Sequence, residues 1–177
     1  DACLVGSEMC IRDRNNICPV RGRMELAATC PNGTSIYVDY AHTPNALKTA
    51  LKSLRLHSQG RLILVFGAGG DRDPSKRYLM GQVAAEFSDV AFLTDDNPRN
   101  ENPSEIRAMI LAGVPNAIEV PDRAEAILRA VDYLQAGDVL LIAGKGHESG
   151  QVIGNDTLPF DDVEQASIAV AALAGVS

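Results

Sequence analysis

Cysteine is scarce and confined. All four, Cys3, Cys10, Cys18 and Cys30, fall within the first thirty of 177 residues, and no two have the C-x-x-C spacing of a zinc or redox site. Nothing after Cys30 can form an internal disulfide, which fits a reducing cytoplasm. Long apolar runs are also missing, so no segment reads as a membrane span. No stretch has the basic start and apolar middle of a signal peptide. Positive charge is in deficit: 16 Lys and Arg against 23 Asp and Glu give a net charge of -7, with a pI near 4.9. That balance provides no basic face for nucleic acid. No G-x-x-x-x-G-K-[ST] run, fixed-period repeat or low-complexity segment occurs. A small molecule is therefore the expected partner, and the length suffices for one domain with a sizeable core.

The run from Asp1 to Arg14 shows neither helical nor strand periodicity. It resembles a translated sequencing adapter, so a non-native segment without function is expected there, with an ordinary N-terminal arm as the alternative. From Gly33 onward, short apolar runs alternate with amphipathic stretches. Ser35 to Val38 is β-rich; Thr43 and Pro44 then suit a helix N-cap and first helical residue, with Leu47, Ala50, Leu51 and Leu54 at helical spacing. The unit repeats as a strand over 62–66 and a helix with Leu79, Val83 and Phe87 on one face. A strand over 90–93 and a helix from about Pro103 to Gly113 follow, then a weaker strand over 117–120 and a helix from Asp122 to about Gln135. Val139 to Ala143 forms a strong strand. Residues 151–153 and 157–160 flank Gly154-Asn155-Asp156 as a hairpin or edge strand, and an alanine-rich helix closes the chain from Asp162 to about Ala174. The pattern predicts an α/β, Rossmann-like fold. Its mostly parallel sheet has about six strands, helices on both faces, and an antiparallel edge strand or hairpin near the C-terminus.

Each conspicuously polar or glycine-rich loop, 39–44, 67–73, 94–99 and 144–148, follows the carboxyl end of a predicted strand. In a parallel sheet that places all four on one rim, where ligands bind. Thr94-Asp-Asp-Asn-Pro-Arg99 holds two carboxylates, an amide and a guanidinium, and Arg99 has the fork geometry to grip a carboxylate bidentately. Gly67-Ala-Gly-Gly invites a dinucleotide reading, but Arg72 stands where the third glycine belongs, so the glycines are expected to allow close backbone approach instead. Arg72 has a neighbouring aspartate as an alternative partner, and Lys145 with Glu148 reads equally as a surface ion pair. His42 and His147 lack metal-ligand spacing and the Ser or Cys partner of a nucleophilic site.

Gly22-Arg-Met-Glu25, Asp39-Tyr-Ala-His-Thr-Pro44, Gly69-Gly-Asp-Arg-Asp73, Asp95-Asp-Asn-Pro-Arg99 and Gly144-Lys-Gly-His-Glu148 occur in this order. Together they resemble the C-terminal domain of the Mur ligases, above all the members that add diaminopimelate. The resemblance runs from about residue 20 to the end. It implies a linker and domain start over 15–32 and the C-terminal domain over 33–177. It further implies a cytoplasmic, monomeric three-domain enzyme that uses ATP and magnesium to form an acyl phosphate on UDP-MurNAc-L-Ala-D-Glu, which the amino group of meso-diaminopimelate then attacks. By the same resemblance, Arg72, Asn97, Pro98, Arg99, Gly144 and Glu148 meet diaminopimelate, and Arg99 discriminates it from lysine. Arg23, Asp39, Tyr40 and His42 lie on the ATP side. No catalytic residue and no metal ligand is expected within this chain, because ATP and magnesium are held mainly by a central domain that it lacks. The chain alone is expected to be inactive. The alternatives are a Mur ligase for another amino acid, a stand-alone binding module for a zwitterionic amino acid and, third, an NAD oxidoreductase.

Overall fold

Five apolar runs too short for helices become the strands of a parallel sheet. They are β2 (Ser35–Asp39), β3 (Leu62–Phe66), β4 (Val90–Leu93), β5 (Ile118–Glu119) and β6 (Val139–Ala143), in the spatial order β2-β6-β3-β4-β5. This computed structural model describes residues 20–175; the adapter-like run 1–14, with its Cys3 and Cys10, lies outside the described residues, and so does Cys18. Between the strands run α1 (Pro44–Arg55), α2 (Ser75–Phe87), α3 (Pro103–Leu111) and α4 (Arg123–Asp132), and α5 (Asp162–Ala174) closes the domain. The expected cap forms, with Thr43 accepting from the Ala46 N–H; Asn102 caps α3 by accepting from Ser104, and Asp122 caps α4 by accepting from Glu125.

The sheet is apolar on both faces, as a parallel sheet covered by helices should be. Alternation along β3 shows it. Leu62, Leu64 and Phe66 point into a core shared with Leu47, Leu51, Met80 and Ile110 of α1, α2 and α3, whereas Ile63 and Val65 join Ile127 and Ala166 of α4 and α5 on the other face. All five β3 residues are fully buried, each worth roughly 1.5–3 kcal/mol of hydrophobic stabilisation.

Two details lie beyond the sequence reading. The segment 15–32, expected as linker and domain start, contains a sixth sheet strand, β1 (Glu25–Thr29), which pairs antiparallel with β2 from Glu25↔Val38 to Thr29↔Ser35. Its Glu-Leu-Ala-Ala-Thr sequence has little intrinsic strand preference, so pairing with β2 decides its conformation. On α2, the face expected to be Leu79, Val83 and Phe87 is instead Met80, Gly81 and Ala84; Leu79 is 48 % exposed, while Val83 and Phe87 pack only at the core margin. A Cβ on Gly81 would overlap the Ile110 carbonyl of α3, so the small residues form the close helix–helix contact and the bulky ones are turned aside.

The expected hairpin is present as β7 (Gly150–Ile153) and β8 (Asp156–Pro159), a separate two-stranded antiparallel sheet. No helix among the described residues is long and apolar enough to cross a membrane. The order of the parallel strands fixes where the rim loops meet. Successive strands β3, β4 and β5 lead away from β2, and the chain then returns through α4 to insert β6 between β2 and β3. The carboxyl ends of β2, β6 and β3 therefore converge at the reversal point, where open α/β sheets bind ligands.

Candidate functional site

The four rim loops enclose a polar cleft of about 110 Å³. Tyr40 and His42 enter from the loop after β2, Gly69 and Arg72 from that after β3, Asp96, Asn97 and Arg99 from that after β4, and Gly144 and Glu148 from that after β6. Lys76 adds a third cationic group from the first turn of α2. A larger groove of about 330 Å³ lies near Ser88, Pro115 and Asn116, but its only charged lining group, Asp89, is occupied by Arg55 at 2.6 Å and the Leu62 N–H at 2.7 Å. The rim cleft alone of these two brings together charges of both signs.

Arg99 sits in left-handed backbone with φ 51°, a conformation that costs a non-glycine residue free energy. The hairpin holds it there: Arg99 N–H donates to the Val152 carbonyl at 3.1 Å, and Gly154 N–H to the Arg99 carbonyl at 2.7 Å. Its Nη1 donates to the carbonyls of Gly70 at 2.8 Å and Asn97 at 3.4 Å. Among the described residues its side-chain bonds run through Nη1 alone, leaving the rest of the fork for a ligand. The glycine run after β3 serves this packing: a Cβ on Gly70 would overlap the Pro98 carbonyl. The expectation of close backbone approach is met, by a neighbouring loop. Arg107 of α3 anchors the start of the same loop by pairing with Asp95, and with Glu119 at 2.6 Å.

Asn97 is 5 % exposed, and both polar atoms of its side chain form hydrogen bonds. Its Oδ1 accepts from Lys145 Nζ at 2.7 Å and from Val152 N–H at 3.0 Å, while its Nδ2 donates to Glu148 Oε2 at 2.9 Å. Lys145 and Glu148 are not a surface pair. They lie 3.9 Å apart, but Lys145 is completely buried, with Asp96 at 3.5 Å. Burial pushes the Lys145 ammonium below the usual lysine value, opposed by the Asp96 charge. Lys76 is shifted the same way, again by burial against Asp96. Arg72 is exposed, and among the described residues it forms no ion pair, so the alternative of a neighbouring aspartate is not realised; its Nη1 reaches only the Asp71 carbonyl at 3.3 Å. Beneath the loop after β6, Arg123 donates to the Ala143 carbonyl at 3.0 Å and pairs with Asp162 at 2.7 Å. Burial works against its charge, yet Asp162 outweighs that and holds it above the usual arginine value.

Of the residues expected at diaminopimelate, Arg72, Asn97, Arg99, Gly144 and Glu148 therefore share one cleft. Pro98 does not line it; it is buried, and its carbonyl accepts from Glu101 N–H at 3.1 Å. Of the ATP-side set, Tyr40 and His42 line the same cleft, with their rings 4.6 Å apart. Arg23 stacks 4.9 Å from the Tyr40 ring, outside the lining. Asp39 is 8 % exposed, its oxygens taken by the N–H groups of Met24 and Ala41, both at 2.8 Å. Sequence reasoning missed Lys76, Asp96 and the engagement of Lys145. Asp96 was visible as the second carboxylate of its loop; Lys76 enters only because α2 begins at the cleft.

The residues present do not fit a magnesium–triphosphate site. Among the described residues no cluster of three or more His, Cys, Asp or Glu could hold a metal ion, and the sequence has no P-loop.

Comparison with known proteins agrees with the fold and the motifs. The chain is 53 % identical over 154 residues to the UDP-N-acetylmuramoyl-L-alanyl-D-glutamate--2,6-diaminopimelate ligase of Agrobacterium fabrum, covering 87 % of this chain and 32 % of that protein. It is 55 % identical over 144 residues to the protein of the same name from Chelativorans sp., covering 81 % and 30 %. A solved structure of such a ligase superposes with a TM-score of 0.82 at 41 % identity, covering 90 % of this chain and 33 % of that one. The chain thus spans about a third of the length of the relatives it matches. A family model described as Mur ligase, glutamate ligase domain, matches residues 22–146. With most of its length matched in this way, the chain belongs to the Mur ligase family and carries the glutamate ligase domain.

Proposed function

We propose that this domain recognises meso-diaminopimelate for an ATP-dependent ligase that joins it to UDP-MurNAc-L-Ala-D-Glu during peptidoglycan precursor synthesis. The observation that carries the reading is the convergence of Arg72, Lys76 and Arg99 with Asp96 and Glu148 around one cleft. Diaminopimelate has two zwitterionic ends. Its carboxylates call for cationic and N–H donors, supplied by Arg72, Arg99 and the Asn97 amide, and its ammonium groups call for acceptors such as Glu148. Lysine lacks the second carboxylate and would leave Arg99 without a partner in the cleft, so the same geometry disfavours it. The identity of about half of all positions with diaminopimelate ligases supports this choice of amino acid.

Phosphoryl transfer from ATP with magnesium would be supplied by other parts of the longer protein, and no step through either is assigned to these residues. What this chain contributes is orientation: the cleft holds one end of the amino acid so that the other amine is presented to the activated carboxyl group. The test is ligation by the full-length protein with diaminopimelate and with lysine. Strong preference for diaminopimelate is expected, and equal use of the two would overturn the assignment. The chain by itself should show no turnover with all substrates supplied; clear turnover would refute its role as one domain of the enzyme.

A further inference from the structure

Lys145 is fully buried, yet three of the four side-chain or backbone groups around its ammonium belong to cleft residues. Nζ donates to Asn97 Oδ1 at 2.7 Å and to the Gly150 carbonyl at 2.9 Å, and lies 3.5 Å from Asp96 and 3.9 Å from Glu148. Burying an ammonium is costly, and a purely packing role would be served as well by an apolar side chain of similar length. We propose that Lys145 is a positioning residue for amino-acid recognition, holding the Asn97 amide and the Asp96 and Glu148 carboxylates in the arrangement that a zwitterionic ligand needs.

This role for Lys145 rests on the diaminopimelate reading above, and two sets of contacts support it. Asn97 has one acceptor oxygen, and both Lys145 Nζ and the Val152 N–H donate to it. Its –NH2 is thereby turned to Glu148 and the cleft, the orientation that can meet a carboxylate. Asp96 and Glu148, in turn, reach the cleft from different loops, and both face the one ammonium of Lys145, at 3.5 and 3.9 Å. That shared contact holds the two acceptors in a fixed relation from which they can meet a ligand's ammonium. Arg72 and Lys76 also line the cleft, but Arg72 is exposed and Lys76 half-buried, whereas Lys145 is out of reach of solvent.

In the full-length protein, Lys145→Met should raise KM for diaminopimelate at least about tenfold, the scale of losing hydrogen bonds to a charged group. KM for ATP and for the UDP-linked substrate should stay within about twofold, a split that general loss of structure would not produce. Lys145→Gln, neutral but still able to donate to Asn97, should give a smaller rise and guards against a misfolded Met variant. Unchanged KM for diaminopimelate, equal rises for all three substrates, or failure of both variants to fold would overturn the proposal. A wild-type protein that does not use diaminopimelate would overturn the reading beneath it, so the two failures are told apart by the wild type.

Discussion

Replacing Arg99 by alanine should separate recognition of the amino acid from every other substrate interaction. The guanidinium spends Nη1 on the carbonyls of Gly70 and Asn97, so its remaining N–H groups are available to one carboxylate. Hydrogen bonds to charged groups contribute about 1.5–3 kcal/mol, and each 1.4 kcal/mol is a factor of ten, so kcat/KM for diaminopimelate should fall about 10- to 150-fold. Arg99 is only half-buried, and the carbonyls it leaves can take water, so the stability cost should be about 1 kcal/mol or less. Steady-state kinetics on the full-length protein, varying one substrate at a time, is the assay, with a melting curve as control. ATP saturation should be unaffected, and the ratio of diaminopimelate to lysine use should narrow. Equal losses for diaminopimelate and ATP would refute the reasoning, and so would a small loss for both. Arg99→Lys should recover little, since an ammonium cannot reproduce the planar fork.

Other perturbations probe the scaffold. Asp162→Ala leaves the buried Arg123 guanidinium uncompensated, with Nη1 already lacking a hydrogen-bond partner among the described residues, and should destabilise by about 3–5 kcal/mol in urea unfolding. A cost below about 1 kcal/mol would show that the pair is dispensable. Gly70→Ala should cost about 1–3 kcal/mol and weaken diaminopimelate use, because the new methyl meets the Pro98 carbonyl and displaces the loop; a wild-type melting curve and KM would contradict this. Asp138 is buried, which alone would raise its pKa, but hydrogen bonds from Arg61 and from the Gln135 and Arg61 N–H groups hold it below the usual aspartate value. Its folded pKa is depressed, so its contribution is complete above about pH 4 and fades as pH falls through the folded value. Asp138→Asn should therefore flatten the acid limb of the stability curve, and an unaltered limb would assign that limb to other carboxylates.

The local pattern of the chain determined its elements and the rim on which its polar loops gather. Apolar runs such as Leu62 to Phe66 can be stable only as buried strands between helices, and the parallel order puts loops 39–44, 67–73, 94–99 and 144–148 at one edge without further information. The N-cap Thr43 was equally readable, because capping depends on a few neighbouring residues. Tertiary structure alone decided the rest. Strand β1 exists because β2 offers it a partner, not because Glu25 to Thr29 favour extension. Helix α2 turns its small residues inward because the backbone of α3 approaches at Gly81. Within Thr94 to Arg99, the sequence supplied a guanidinium and an amide, but not their directions. Those were set by Gly70, by the hairpin at Val152 and by the buried ammonium of Lys145, groups distant in sequence whose short-range contacts exist only after the sheet has formed.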